Sequence, residues 1–313
     1  MARRRPPTAG GKEEPPTEVD PRQLDLLTPG EVIRTIPAKM TEIDYQHTVL
    51  TSVTLPVRDP GDAQVWEHRV GNDRILMEGG RAFDPVTDQY VPAGLPFGPR
   101  ARLILLYLQT QAKRTNSPVV ETGRSLNSFL LNLGLSTGGS VTGPFREQLR
   151  RLAVAKLTLA RLTSTKSAMQ VSQNFVSAFH LWQDGEEGER QKWSQYVKLS
   201  DEFFASVMKH SVPLDDRAIR ELRNNAHALD LYSWLAARLH DVRDPKGEYV
   251  SWAALHKQFG HGVASERKFR QQFEATRKLV AEVYDGAGFL QPADGGLMLP
   301  YGVRPPIPAK TLL

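Results

Sequence analysis

The chain has 313 residues, 40% of them hydrophobic, with a formal net charge of +5 and an isoelectric point near 9.4. It contains no cysteine, which excludes disulfides and thiolate metal sites and makes a reducing cytoplasm the natural compartment. No run of about 18 apolar residues is present and no apolar stretch follows the N-terminal arginines, so neither a membrane span nor a secretory signal is expected. This length fits roughly two domains of about 150 residues, and the mild positive excess suits a polyanionic partner.

Met1 to Pro21 carries Arg3, Arg4 and Arg5 among prolines and glycines with little that is apolar, the composition of a disordered tail. From Tyr45 to Leu55 the chain is rich in β-branched residues, and VWEHRV and RILMEG follow closely, which reads as a small antiparallel ribbon closed by Gly79-Gly80. Such a ribbon leaves strand edges that need partners, so it is expected to support self-association. Arg81 to Gly98 reads as a loop. Pro99 to Arg114 reads as a scaffold helix burying Leu103, Leu106, Tyr107 and Thr110, with Lys113 and Arg114 at its C-terminal end.

Ser125 to Gly134 (SLNSFLLNLG) predicts a short helix capped by Ser125, followed by a small-residue turn and a helix opened by Gly143-Pro144. That second helix places Phe145, Leu149 and Leu152 inward and leaves Arg146, Arg150 and Arg151 to point out. Leu157 to Trp182 then becomes strand-like, and a polar tip at Asp184 to Lys192 leads to YVKL at Tyr196 to Leu199, a hairpin in the position of a wing. Ser200 caps a short helix with Phe203, Phe204 and Val207, and a boundary falls near His210. Asp215 reads as the N-cap of a long helix from Asp216 to Val242, not as half of a catalytic carboxylate pair with Asp216.

Val250 to Tyr284 repeats the earlier pattern. Ser251 caps a short helix with Trp252, Leu255 and Phe259 on one side, and Gly260 stands where a left-handed residue would end it. Ser265 caps a longer helix whose stripe of Phe269, Phe273, Thr276, Val280 and Val283 must face a core. SWAALHKQFG aligns without gaps on SLNSFLLNLG, with Trp252 on Leu126, Leu255 on Phe129 and Phe259 on Leu133. The polar face of the longer helix carries Arg267, Arg270, Gln271, Glu274 and Lys278. Arginine and glutamine suit a helix in the major groove, because their paired donors and acceptors match guanine and adenine edges. Any surface amphipathic helix has a solvated polar face, and the recurrence of the pattern is what favours recognition. GFLQPADGGLMLPYG reads as a hairpin around Asp294-Gly295-Gly296, a second wing, and the proline-rich end from Arg304 as a tail.

No HExxH and no G-x-x-x-x-G-K-[ST] occur, and His256 and His261, five apart, read as surface groups or phosphate contacts and not as a metal site. The His-hydrophobic-His metal pair of a rolling-circle nicking enzyme is missing. No catalytic residue, metal site or cofactor is therefore expected.

Six segments resemble RepA-type plasmid replication initiators of Gram-negative bacteria: FGPRARLILLYLQTQAKRTNS, the GG-x-x-x-G-x-x-REQ segment at Gly138 to Gln148, VKLSDEFF, VPLD, ALDLYSWLAARLH and VSWAALHKQFG. The resemblance implies an α+β protein with two tandem winged-helix domains, divided as a tail at 1–40, a first domain at 41–210, a second at 211–303 and a tail at 304–313. It further implies a bacterial cytoplasmic protein that binds direct repeats (iterons) in double-stranded origin DNA and helps open the neighbouring region. Host initiator and helicase would be gathered there without hydrolysis, and the free protein would pair as a homodimer through the first domain. The DNA-binding residues carried over are Arg267, Lys268, Arg270, Gln271, Arg277 and Lys278 in the second helix pair, and Arg146, Gln148, Arg150 and Arg151 in the first. Arg267, Arg270 and Gln271 lie where base edges are reached, Arg277 and Lys278 where phosphates are. A transcriptional regulator of the same fold would look alike residue by residue.

Overall fold

The computed structural model describes residues 27–84, 86–164, 167–174, 176–178, 196–308 and 311. The basic N-terminal stretch, the end of the strand-like segment at 179–182 and the polar tip at 184–192 lie outside them. The fold mixes helix and sheet. Among the described residues no helix is long and apolar enough to cross a membrane.

The segment assigned to a tail is structured from residue 28 onward. Thr28 and Glu31 form a capping box with Pro29 in the first turn, and they open helix α1 (Pro29–Thr35). Strand β1 (Ile43–His47) follows and pairs antiparallel with β11 (Ser211–Asp215). The predicted strand from Tyr45 to Leu55 stops at His47, whose Nδ1 accepts the Val49 N–H at 3.2 Å and so caps helix α2 (Thr48–Ser52). That cap and the burial of Val49 and Leu50 outweigh the β-propensity of the segment.

Strands β2 (Val65–Val70) and β3 (Asp73–Glu78) form the expected ribbon, but β7 (Lys156–Ser164) and β8 (Ser167–Asn174) extend it into one sheet of order β2-β3-β7-β8. The free edge of β3 on which self-association was to rest is thus filled by the same chain. The stretch read as a loop contains a second hairpin, β4 (Arg81–Asp84) with β5 (Gln89–Pro92). Helix α3 (Gly98–Thr115) has Pro99 in its first turn and ends at left-handed Asn116; it buries Leu103, Ile104, Leu106, Leu108 and Thr110, with Tyr107 half-buried.

Two helix pairs follow the same plan. Strand β6 (Val119–Glu121) leads into α4 (Leu126–Asn132) and α5 (Gly139–Val154), and its sheet has the order β6-β10-β9, with β9 at Val176–Ala178 and β10 at Tyr196–Leu199. Strand β12 (Glu248–Ser251) leads into α9 (Trp252–Phe259) and α10 (Glu266–Ala281), and its sheet has the order β12-β14-β13, with β13 at Gln291–Ala293 and β14 at Gly296–Leu299. In each unit the strand before the helices pairs with the last strand, which pairs with the middle one. The repeat seen in sequence therefore extends to strand order. The expected second hairpin forms and turns at Asp294-Gly295, with Gly295 at φ +70° and Gly296 already in the returning strand.

Three local readings change. Helix α5 starts at Gly139, so Pro144 sits inside it instead of opening it. Gly260 ends α9 at φ −92°, and the left-handed residue of that turn is Gly262 at φ +78°. The long helix from Asp216 divides into α7 (Asp216–Leu222) and α8 (Ala226–Arg238), because the Asn225 side chain accepts the Ala228 N–H at 3.1 Å and restarts the helix. Asp215 caps α7 as expected, accepting the Arg217 N–H at 3.0 Å. The other helices are α6 (Asp201–Lys209), capped by Ser200, and α11 (Asp285–Gly288). The C-terminal segment is anchored too: Ile307 is buried with Ala38 and Ile43.

One apolar cluster runs through both units, from Val49 to Leu299. At its centre Arg102 of α3 meets Asp230 of α8 in a two-point ion pair, at 2.7 and 2.8 Å, with both side chains 8% exposed. The remaining guanidinium donors reach the carbonyls of Leu55, Pro56 and Gly98 at 2.7–3.1 Å. Across the same seam, Gln258 donates to Ser52 O, His68 Nε2 to Lys257 O, and Ser233 to Gln46. His261 packs against the rings of His68 at 4.2 Å and Trp66 at 4.7 Å, so it is a seam residue and not a free surface group.

Asp230→Ala is expected to destabilise the protein by about 3–5 kcal/mol in urea unfolding, because it leaves a buried guanidinium unpaired, while Arg102→Met with Asp230→Leu recovers most of that loss. Burial also holds His47 and His261 down to about 4, helped by His210 beside the first and His68 beside the second. Unfolded histidine takes up its proton near 6.5, so stability should be unaffected by these groups above that pH and fall as the pH drops from 6.5 toward 4. His261→Phe keeps the ring packing and removes one proton site; its melting temperature at pH 7 should stay close to the parent's and fall less steeply with acid.

Candidate nucleic-acid interface

The second helix pair is built from caps and aromatic packing. Ser251 accepts the Ala254 N–H and Ser265 the Lys268 N–H, which fixes the start of each helix. Phe269 and Phe273 pack on Trp252, with centroids 6.4 and 5.6 Å away, and Phe273 also meets Phe259 at 6.0 Å. His256 stacks on Phe269 and its Nε2 donates to Val263 O at 2.6 Å, tying α9 to the turn. Helix α10 cannot rotate about its axis without breaking these contacts, so its outward face is set. That face carries Arg267, Lys268, Arg270, Gln271 and Lys278, all exposed. Arg270 pairs with Glu266 one turn back and lies over the Trp252 ring, 5.4 Å from its centroid. Arg277 is placed differently. It is 18% exposed, donates to Glu274 at 2.9 Å and to Ala287 O at 3.0 Å, and so holds α10 to α11.

The first pair shares the frame but not the face. Ser125 and Ser128 form a capping box, Phe129 packs edge-on to Phe145 at 5.3 Å, and Gly134 turns at φ +68° with the Arg220 side chain against it. Leu149 and Leu152 are buried as expected. Gln148 is buried as well, and its Oε1 accepts the Phe97 N–H at 2.8 Å. Arg150 donates to Glu147 at 2.9 Å and to Ala93 O, while Arg151 reaches Glu147, Asp59 and Leu95 O and lies over the Phe97 ring. Burial alone would raise the Glu147 carboxyl, and the hydrogen bonds from these two arginines more than offset it, holding it below the usual range. Arg146 is half-buried. The outward surface of α5 is instead Gly139, Ser140, Gly143 and Pro144.

The cause is the segment from β4 to Phe97, which wraps the arginine side of α5 and draws its cations onto backbone carbonyls. Of the ten residues named from sequence, five (Arg267, Lys268, Arg270, Gln271 and Lys278) converge on one exposed helix face; Gln148, Arg150, Arg151 and Arg277 are engaged within the protein, and Arg146 is half-buried on the first pair. Trp252 was read from sequence only as an apolar residue of the short helix and not as the support of Arg270, and Glu266, which pairs with Arg270, was not singled out. Glu266 lies one helical turn before Arg270 and next to the Ser265 cap, which was the available signal.

Residues 95–254 match the model of the family described as plasmid encoded RepA protein, just over half of the chain. The match runs from the approach to α3 to the first turn of α9 and stops short of α10. Among solved structures, the chain is similar to domains 2 and 3 of RctB in two crystal structures. The selenomethionine form has 12% identity and a TM-score of 0.45 over 80% of this chain and 84% of that one. The second, RctB-155-483, has 13% identity and a TM-score of 0.46 over 74% and 82%. No curated protein matches. The segments from α3, α5, α6, α8 and the start of α9 that resemble RepA-type initiators thus fall within a family match covering more than half of the sequence, and the chain belongs to the plasmid-encoded RepA family of replication initiators.

Proposed function

We propose that this chain starts plasmid replication by binding direct repeats in origin DNA, with α10 as the helix that reads the major groove. The observation that carries this reading is the exposed row of Arg267, Lys268, Arg270, Gln271 and Lys278 on a helix whose roll is fixed by capping and aromatic packing. In this reading each unit is a winged helix: strand, two helices and a returning hairpin, the plan in which the second helix enters the groove. The second unit supplies sequence reading. The first contacts DNA more weakly, since its cations are spent on Glu147, Asp59 and backbone carbonyls and its outward face is glycine, serine and proline. Binding at several repeats then strains and opens the neighbouring duplex, and host initiator and helicase assemble there. The protein itself does no bond-breaking chemistry. The free form pairs through the first unit; with the β3 edge filled by β7, this rests on the family resemblance and on the remaining outer strands.

The reading is tested by asking whether the coding region and its flanking DNA sustain an otherwise replication-deficient plasmid, which a transcriptional regulator would not do. On DNA, Gln271→Ala should cost about 1–3 kcal/mol on a repeat and little on scrambled duplex of equal length, by loss of a base-edge contact. Lys278→Ala should weaken both and reduce the salt slope by about one. Arg151→Ala should instead lower the melting temperature while leaving the preference for the repeat. A salt titration of each variant on both duplexes separates these outcomes, and loss of preference in Arg151→Ala with none in Gln271→Ala would place the reading helix in the first unit.

A further inference from the structure

We propose that Glu266 sets the specificity of the interface by occupying Arg270 in the free protein, so that DNA lacking the recognised sequence cannot use that arginine cheaply. This rests on α10 being the reading helix. Two kinds of arginine–glutamate contact occur on the second helices of the two units. Arg150 and Arg151 with Glu147, and Arg277 with Glu274, are partly buried and also bound to carbonyls, so they belong to the scaffold. Arg270 with Glu266 differs: the side chains are 46% and 48% exposed, and among the described residues Arg270 otherwise rests on the face of Trp252. An exposed i,i+4 pair adds little to stability. It lies, however, on the face that meets DNA.

Glu266 is the first residue of α10, where unpaired backbone N–H groups and the positive end of the helix favour an anion. In its absence a DNA phosphate would be drawn there and to Arg270 together. With the carboxylate present, a phosphate must both displace it and approach it, which like charge opposes. A G·C pair faces no such penalty of equal size: guanine N7 and O6 are neutral acceptors that fit the arginine fork, and a displaced glutamate can accept from the cytosine amino group. Trp252 holds the guanidinium by its face and leaves its edges free for either partner. The carboxylate therefore weakens phosphate binding more than base reading.

The test compares the parent with Glu266→Gln, Arg270→Ala and the double variant, each titrated with salt on a duplex carrying one direct repeat from beside the coding region and on a scrambled duplex. One additional phosphate contact at about 0.1–0.15 M salt corresponds to roughly 5–10-fold in affinity and a slope change of about 0.9. Glu266→Gln should gain about that much on scrambled DNA and less on the repeat, narrowing the ratio between them, and in the Arg270→Ala background the same change should have less than about a twofold effect. An equal gain on both duplexes, or a gain that persists undiminished without Arg270, would show that Glu266 acts only as a nearby negative charge and would overturn the proposal. A parent protein that binds the repeat no better than scrambled DNA would instead remove the reading of α10 itself, and that is seen before any variant is made.

Discussion

The arrangement of this molecule depends on one buried ion pair. Arg102 has five N–H donors, and the structure gives each an acceptor: two carboxylate oxygens of Asp230 and the carbonyls of Leu55, Pro56 and Gly98. Asp230 sits on the central helix of the second unit, while the three carbonyls and Arg102 belong to the first. Removing two charges from water is costly, and only this full set of partners offsets it. A pair of this kind tolerates little shift between the units. It therefore fixes how the two helix pairs are presented together, and the seam bonds of Gln258, His68 and Ser233 extend the same register outward.

Given that fixed frame, the proposed division of work between the units follows from where their cations go. Both second helices are rich in arginine, yet on α5 the nearby carbonyls of Ala93 and Leu95 and the carboxylates of Glu147 and Asp59 take Arg150 and Arg151 inward. On α10 only Arg277 meets that fate, and the first two turns keep their cations in solvent. The same residue type thus serves as scaffold in one helix and as surface in the other. What decides is whether an adjacent loop offers acceptors.

How much of this could be read from sequence follows from the range of each interaction. The caps at Ser125, Ser200, Asp215, Ser251 and Ser265 act over two or three residues and were legible, as was the doubled apolar pattern, whose helical period reports burial directly. The same period also held signals that went unused. Gln148 lies three residues after Phe145 and four before Leu152, inside the buried stripe, and Arg277 lies four after Phe273, on its flank. Asn225 was a local cap that could have divided the long helix. The hairpin of β4 and β5 is local, but its proline- and glycine-rich surroundings read as a loop; the joining of β7 to β3 and the anchoring of α1 through Arg34 to Ala281 O were not legible, because each depends on a partner far along the chain.

The central claim is that α10, held in a fixed roll by the aromatic cluster beneath it, reads base edges in the major groove. Methylation interference at guanine N7 on the DNA beside the coding region examines that contact directly, since the methyl group projects into the major groove and leaves the phosphates untouched. The account predicts interfering guanines on one face of the duplex, recurring once per direct repeat. Binding that proceeds on fully methylated DNA, with only its salt dependence retained, would contradict it.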